Sequence, residues 1–303
     1  MNDYEAERIR SKCGKFRILI IGRANAGKTT ILQRVCNTTE NPVVYVKGEE
    51  VDPSILASSS DRGGHDIENE LVFNNNRGFC FHDSRGFEAG GAKELLKVKE
   101  FIEKRAKECE ISDRLHAIWY CIPMDDSRPF TMAESQFFSE CGTGDVPVIA
   151  IFTKFDALDN RAFNKLKKEG KSRRESRELA TQRAVVDFEA IYLKMMYKYT
   201  HPPKAHVYLR DMNMEGSKCG ELMERTTSSL DDEVLQQLFV STQRNNVEVC
   251  ISYAMERDAL PVIRQSAKST VNRDIKRDSV EAKEMIRSML AWFPQYPVSV
   301  KDV

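Results

Sequence analysis

The stretch "ILIIGRANAGKTT", Ile18 to Thr30, decides how this chain is read. The run from Phe16 to Ile21 has no apolar/polar alternation, the pattern of a strand covered on both faces of a parallel sheet. It breaks at Gly22, crosses a short loop and re-enters a helical pattern, "TTILQRV". Gly22, Gly27, Lys28 and Thr29 satisfy G-x-x-x-x-G-K-[ST] in the strand–loop–helix context the motif requires. In such a loop glycines let backbone N–H groups converge on phosphate oxygens, here those around Asn25, Ala26, Gly27 and Thr30. Lys28 then reaches the terminal phosphates and the Thr29 hydroxyl is a magnesium ligand.

The elements that flank this loop repeat its logic. "HAIWYCIP" (His116–Pro123), "VPVIAIFTK" (Val146–Lys154) and "AHVYL" (Ala205–Leu209) read as further buried strands. "ELVFNNNRGFCFHD", Glu70 to Asp83, reads as two strands joined by an Asn-rich turn. In "KELLKVKEFIEKRAKECE", Leu95, Val98, Ile102 and Cys109 recur near a spacing of 3.6, the mark of an amphipathic helix. The order predicts an α/β fold with a doubly wound, mostly parallel sheet covered by helices. The division expected is a tail over 1–15, a nucleotide domain over 16–230 and a helical extension over 231–303. Near the end of that extension Met285, Ile286, Met289, Leu290, Trp292 and Phe293 cluster, read as a helix folding back on the domain rather than docking to a membrane or partner.

Composition narrows the classes. The 303 residues carry 46 basic and 46 acidic side chains, so no bulk attraction to nucleic acid or membrane is indicated. Eight cysteines are scattered without a CxxC pair, which suits a reducing compartment. There is no apolar leader and no run approaching the ~20 residues of a membrane span, so a cytoplasmic protein is expected. The five histidines have no metal-ligand spacing, and no transition-metal site is expected.

Two more motifs specify the nucleotide. "FCFHDSRGF" ends a strand at Asp83 and continues to Gly86 as D-x-x-G, in which the carboxylate holds magnesium through water and the glycine N–H meets the γ-phosphate. "VIAIFTKFDAL" ends another strand in Thr153, Lys154 and Asp156, a T-K-x-D. An aspartate there can accept both N1–H and N2–H of guanine while the lysine stem packs along the base; adenine offers no such pair of donors. The base read is guanine.

The ordered set GRANAGKTT, DSRG and TKFD resembles the P-loop G domain of the translation-factor-related GTPases, nearest the Era-like and AIG1-like G proteins, over about two-thirds of the chain. The resemblance implies a six-stranded sheet with one antiparallel strand, binding of GTP, GDP and Mg²⁺, and two switch segments that reorder with GTP. The catalytic set it implies is Lys28, Thr29, Asp83 and Gly86. Two positions depart from the pattern: Thr153 replaces an asparagine that braces the base pocket, and no S-A-K-like motif follows the "AHVYL" strand, leaving Leu209 and Arg210 as candidates for the last guanine contact. The first switch is expected between Asn37 and Asp66, where Ser60, in a Ser-rich loop with Ser58 and Ser59, is the candidate magnesium ligand. Asn25 resembles the asparagine with which potassium-activated members hold K⁺, and is equally the residue that tolerates a tight loop. Phe87 follows D-x-x-G where many small GTPases carry the glutamine that orients water.

These features give the expectation of a slow, magnesium-dependent GTPase switch, with a nucleotide-dependent homodimer or an activating protein as partner. The reading from another class is a scaffold that holds GTP with little or no turnover. The basic segment Arg161–Arg183 is read as solvated helix, since it lacks the interleaved aromatics that stack on bases.

Overall fold

The computed structural model describes residues 14–51, 66–84, 92–126, 128, 130–242, 250–251, 254–255 and 259–260. The tail before residue 14, Ser58 to Ser60, Gly86, Phe87 and the apolar cluster beyond residue 284 lie outside the described residues.

Eight strands form one sheet: β1 (Phe16–Gly22), β2 (Val43–Val46), β3 (Glu49–Val51), β4 (Glu70–Phe73), β5 (Asn76–Asp83), β6 (Ala117–Pro123), β7 (Val148–Thr153) and β8 (Ala205–Tyr208), in the order β3-β2-β4-β5-β1-β6-β7-β8. Strands β5, β1, β6, β7 and β8 are parallel. The expected count of six strands, one of them antiparallel, is corrected. β2 pairs antiparallel with both β3 and β4, and β4 antiparallel with β5, so β3 and β4 run against the rest. The extra pair is a hairpin closed by Lys47 (φ 53) and Gly48 (φ 86), the two positive φ values that a two-residue turn between twisted strands needs.

The helices are α1 (Lys28–Val35), α2 (Ala92–Ala106), α3 (Met132–Glu140), α4 (Asp156–Lys168), α5 (Arg173–Phe188), the short α6 (Lys194–Met196), α7 (Gly220–Ser228) and α8 (Glu233–Ser241). They divide between the faces. On β1, Phe16, Ile18 and Ile20 join the core under α1, α7 and α8, whereas Leu19 and Ile21 join the core under α2, α3, α4 and α5. Every residue of β1, β6 and β7 is buried, which is why their sequences lack alternation. The helix expected to reach Cys109 ends at Ala106; Leu95, Val98 and Ile102 are buried as read, Phe101 joins them, and Cys109 is exposed.

Helix α8, just beyond Leu230, contributes Leu238, Phe239 and Val240 to the first core. The Phe239 ring meets Phe16 at 4.7 Å and Phe79 at 5.7 Å between centroids. Such aromatic contacts are each worth about 0.5–1.5 kcal/mol beyond the burial itself. The basic segment forms the α4–α5 hairpin, where Lys165 pairs with Asp187 and Arg183 with Glu169 and Asp187. Among the described residues no helix is long and apolar enough to cross a membrane.

Candidate functional site at the carboxyl ends of the parallel strands

The crossing from β1 to α1 lies where the sheet order reverses, with β5 on one side of β1 and β6 on the other. That crevice, at the carboxyl ends of the strands, is where open α/β sheets bind ligands. Gly22 fits because β6 passes so closely: a Cβ there would lie 2.5 Å from the Cys121 carbonyl oxygen. Asn25 (φ 59) and Gly27 (φ 81) take left-handed conformations that turn the chain back into the helix. Ala26 N–H donates to the Arg23 carbonyl at 3.2 Å. Gly27 caps α1 without a side-chain bond and the first turn has no acidic residue, so the first-turn amides face forward uncapped. The amides and the helix dipole together suit an anion. Lys28 Nζ donates to the carbonyls of Gly22 at 2.9 Å and Arg23 at 3.3 Å, and stands 3.8 Å from Asp83 Oδ1. Thr29 is exposed in the first turn of α1, beside Lys28.

Asp83 ends β5 opposite Ile20 of β1, and Ser84 N–H donates to the Ile20 carbonyl at 3.1 Å. The register thus brings Asp83 up to the loop that leaves β1; Gly86 lies outside the described residues. Asn25 has in its left-handed backbone a sufficient reason to be asparagine.

Two strands further on, β7 delivers the second group. Thr153 is buried, and its hydroxyl has no hydrogen-bond partner among the described residues, so it braces the base pocket through none of them. Lys154 has φ 52, and its ammonium meets Asp125 at 2.7 Å. Asp156 Oδ1 accepts the Asp211 N–H at 3.1 Å. Of the pair named from sequence after β8, Leu209 is built into the sheet end, donating to Phe152 and accepting from Phe155. Arg210 lies over the Phe155 ring, 4.8 Å from its centroid, and pairs with Asp159. Its neighbour Asp211 (φ 48) is the residue that reaches Asp156.

Five non-glycine residues have positive φ among those described: Asn25, Asn37, Lys47, Lys154 and Asp211. Three of them, Asn25, Lys154 and Asp211, stand in the loops that leave β1, β7 and β8 at this edge. A left-handed backbone costs about 1–2 kcal/mol per L-residue, so its concentration here marks a constrained site.

Sequence reading missed the loop after β6. Asp125 holds Lys154, while Asp126 and Glu134 hold Arg23 of the phosphate loop, at 3.0 Å and 3.1 Å. The signal was present: two consecutive aspartates directly after a buried strand. Elsewhere Glu70, Cys80 and His82 converge, but the Arg17 guanidinium fills the space between them, at 2.7 Å from Glu70 and 2.8 Å from His82. Burial pushes the thiols of Cys36, Cys80, Cys121 and Cys219 up to about 12, so none of these four is an activated nucleophile.

No family model and no curated protein matches the chain. Among solved structures it is similar to the G domain of the T. maritima FeoB iron transporter, at 13% identity and TM-score 0.36, over 71% of this chain and 98% of that one. It is similar to a probable GTP-binding protein engB, at 14% identity and TM-score 0.36, with the same coverages of 71% and 98%. A septin GTPase domain from Chlamydomonas reinhardtii gives 20% identity and TM-score 0.32 over 51% of this chain and 58% of that one. The fold stands on the strand order and register.

Proposed function

We propose that this chain binds GTP with magnesium and hydrolyses it slowly to GDP and phosphate, acting as a nucleotide-dependent switch. The observation that carries the reading is the meeting, at one sheet edge, of an uncapped helix N-terminus behind a G-x-x-x-x-G-K-T loop, a strand-end aspartate and a T-K-x-D loop. The amides of residues 25–30 and Lys28 bind the phosphates. Thr29 and Asp83 are the residues that would hold magnesium, which when bound neutralises charge on the phosphate oxygens. Asp156, oriented by the Asp211 amide, keeps lone pairs on both oxygens to accept N1–H and N2–H of guanine. Asp125 fixes the Lys154 ammonium and so orients its stem beside the base.

Phe87, which follows D-x-x-G in the sequence, cannot orient water. Unaided turnover is therefore of order 10⁻⁴ to 10⁻³ s⁻¹, and faster hydrolysis requires a group supplied by an activating protein or by a second copy of the chain. Equilibrium titration with GTP, XTP and ATP tests the base assignment: the wild type binds GTP in preference, and Asp156→Asn exchanges that preference for XTP. An Asp156→Asn protein that still prefers GTP refutes Asp156 as base reader. Phosphate release over hours separates the slow enzyme from the scaffold that retains GTP intact.

A further inference from the structure

The loop between β8 and α7 is tied to α1 by one side chain. Arg34, in the last turn of α1, donates from Nε to the Met212 carbonyl at 3.1 Å and from Nη2 to the Met214 carbonyl at 2.9 Å. Between those carbonyls and the sheet stands Asp211, whose N–H holds Asp156 Oδ1 at 3.1 Å. The loop is compact: Met214 N–H donates to the Asp211 carbonyl at 2.8 Å, and the Ser217 hydroxyl is within 2.6 Å of the Asp211 carbonyl and 2.9 Å of that of Met214. A displacement at residues 212–214 is thereby passed to Asp211.

Little else backs the middle of this loop. A cavity of about 1080 Å³, lined by Arg34, Asn213, Ser217, Lys218 and Met223 among others, lies against it, and Met214 is 59% exposed. Leu209 and Cys219 anchor the two ends of the loop in the core, and between them Met212 alone of the apolar side chains packs on it, only partly buried. With so little packing behind residues 211–218, that stretch is held mainly by hydrogen bonds. A guanidinium holds these two carbonyls from two nitrogens in a rigid fork, Nε and Nη2, a geometry that the single nitrogen of an ammonium does not reproduce.

We infer that Arg34 is a positioning residue for base recognition: through Met212, Met214 and Asp211 it fixes the carboxylate of Asp156, so that the helix begun at the phosphate loop also sets the base-reading geometry. The inference rests on the nucleotide reading above and adds to it a residue that touches neither phosphate nor base. Two fixed carboxylate oxygens matter most for a ligand that offers two donors. Guanine offers N1–H and N2–H; hypoxanthine, in ITP, offers N1–H alone.

The test uses the full chain and measures affinities for GTP, ITP and ATP by equilibrium titration, with thermal unfolding alongside, for wild type, Arg34→Met and Arg34→Lys. The expected result is that Arg34→Met loses about tenfold of the GTP-over-ITP preference while ITP affinity stays within about twofold. Arg34→Lys, which reaches one carbonyl, loses part of the preference and keeps the wild-type melting behaviour. It carries the same test should Arg34→Met unfold. An unchanged GTP-to-ITP ratio in both variants overturns the inference and leaves the nucleotide reading standing. So does a parallel loss of GTP and ITP affinity, the signature of a merely structural role. A wild type that does not distinguish GTP from ATP refutes the nucleotide reading, and the inference with it.

Discussion

Removing the carboxylate of Glu134 is expected to destabilise the protein and loosen the phosphate loop together. Glu134 is fully buried at the start of α3 and stands 3.1 Å from Arg23 Nε, at ion-pair distance rather than as an aligned hydrogen bond. Its other oxygen accepts the Thr131 N–H at 2.7 Å and the Thr131 hydroxyl, closing the capping box of α3. Leaving one member of a buried ion pair unpartnered costs about 3–5 kcal/mol. The lower end applies, because Asp126 remains 3.0 Å from Arg23 and is 41% exposed, a second and partly hydrated anion for the same guanidinium. Loss of the cap adds ~1 kcal/mol, so Glu134→Ala should cost about 4 kcal/mol and Glu134→Gln, which keeps a cap acceptor, about 2 to 3. Both are large beside a total stability of about 5–15 kcal/mol.

The assay is urea unfolding of Glu134→Ala, Glu134→Gln, Arg23→Met and the double variant Arg23→Met/Glu134→Ala. With both ions gone no orphan charge remains, so the double variant should be no less stable than Glu134→Ala alone. The Arg23 carbonyl accepts from Ala26 N–H and Lys28 Nζ, so nucleotide affinity should fall with each single variant. A loss below about 1 kcal/mol for Glu134→Ala, or strictly additive single effects, would refute the buried-pair argument.

Two further outcomes follow from the same geometry. Gly22→Ala places a Cβ 2.5 Å from the Cys121 carbonyl at a φ of +153°, so backbone must shift between β1 and β6; a loss of at least ~2 kcal/mol and of phosphate binding is expected, and a variant that melts and binds like the wild type would sink the close-approach argument. Burial, and next to it the Arg17 guanidinium, pushes His82 down to about 4; burial, partly offset by the bond to the Ile111 carbonyl, pushes His116 to about 4 as well. Both stay neutral in the fold while the unfolded chain takes up their protons below about 6.5, so stability falls with pH from there towards 4, by about 2 kcal/mol per histidine at pH 5. Unfolding free energies that stay level between pH 7 and pH 5 contradict this.

What the sequence disclosed, and what it hid, follows from how far apart the cooperating residues lie. β1, β6 and β7 were legible because each is buried on both faces and so written as an unbroken run. The G-x-x-x-x-G-K-T loop and T-K-x-D could be placed at the ends of β1 and β7 because their residues are contiguous and follow unbroken apolar runs. The β2–β3 hairpin was not: Val43 to Val46 are only half-buried, the partner strand is three residues long, and the segment invited reading as a switch loop. Its Lys-Gly turn was the available clue. Arg17 illustrates the harder case, since its partners Glu70, Cys80 and His82 come from β4 and β5, and only strand register brings them round one guanidinium.

The same consideration explains the arrangement of charge around the carboxyl edge of the sheet. Among the described residues, the loops after β1 and β7 are held from elsewhere: Arg23 by Asp126 of the loop after β6 and by Glu134 of α3, Lys154 by Asp125, Asp156 by Asp211. The ties to Asp125, Asp126 and Asp211 cross between neighbouring strand ends, so the loops after β1, β6, β7 and β8 form a chain of contacts along the sheet edge. Three of the four partners are carboxylates, matched to the two cations, Arg23 and Lys154, that these loops carry. Asp125 and Asp126 are partly exposed, so water screens each pair and the carboxylate restrains its cation without neutralising it in full. A motif therefore names the atoms that meet the ligand, while the residues that aim those atoms stand at the ends of the adjacent strands, where only the sheet order identifies them.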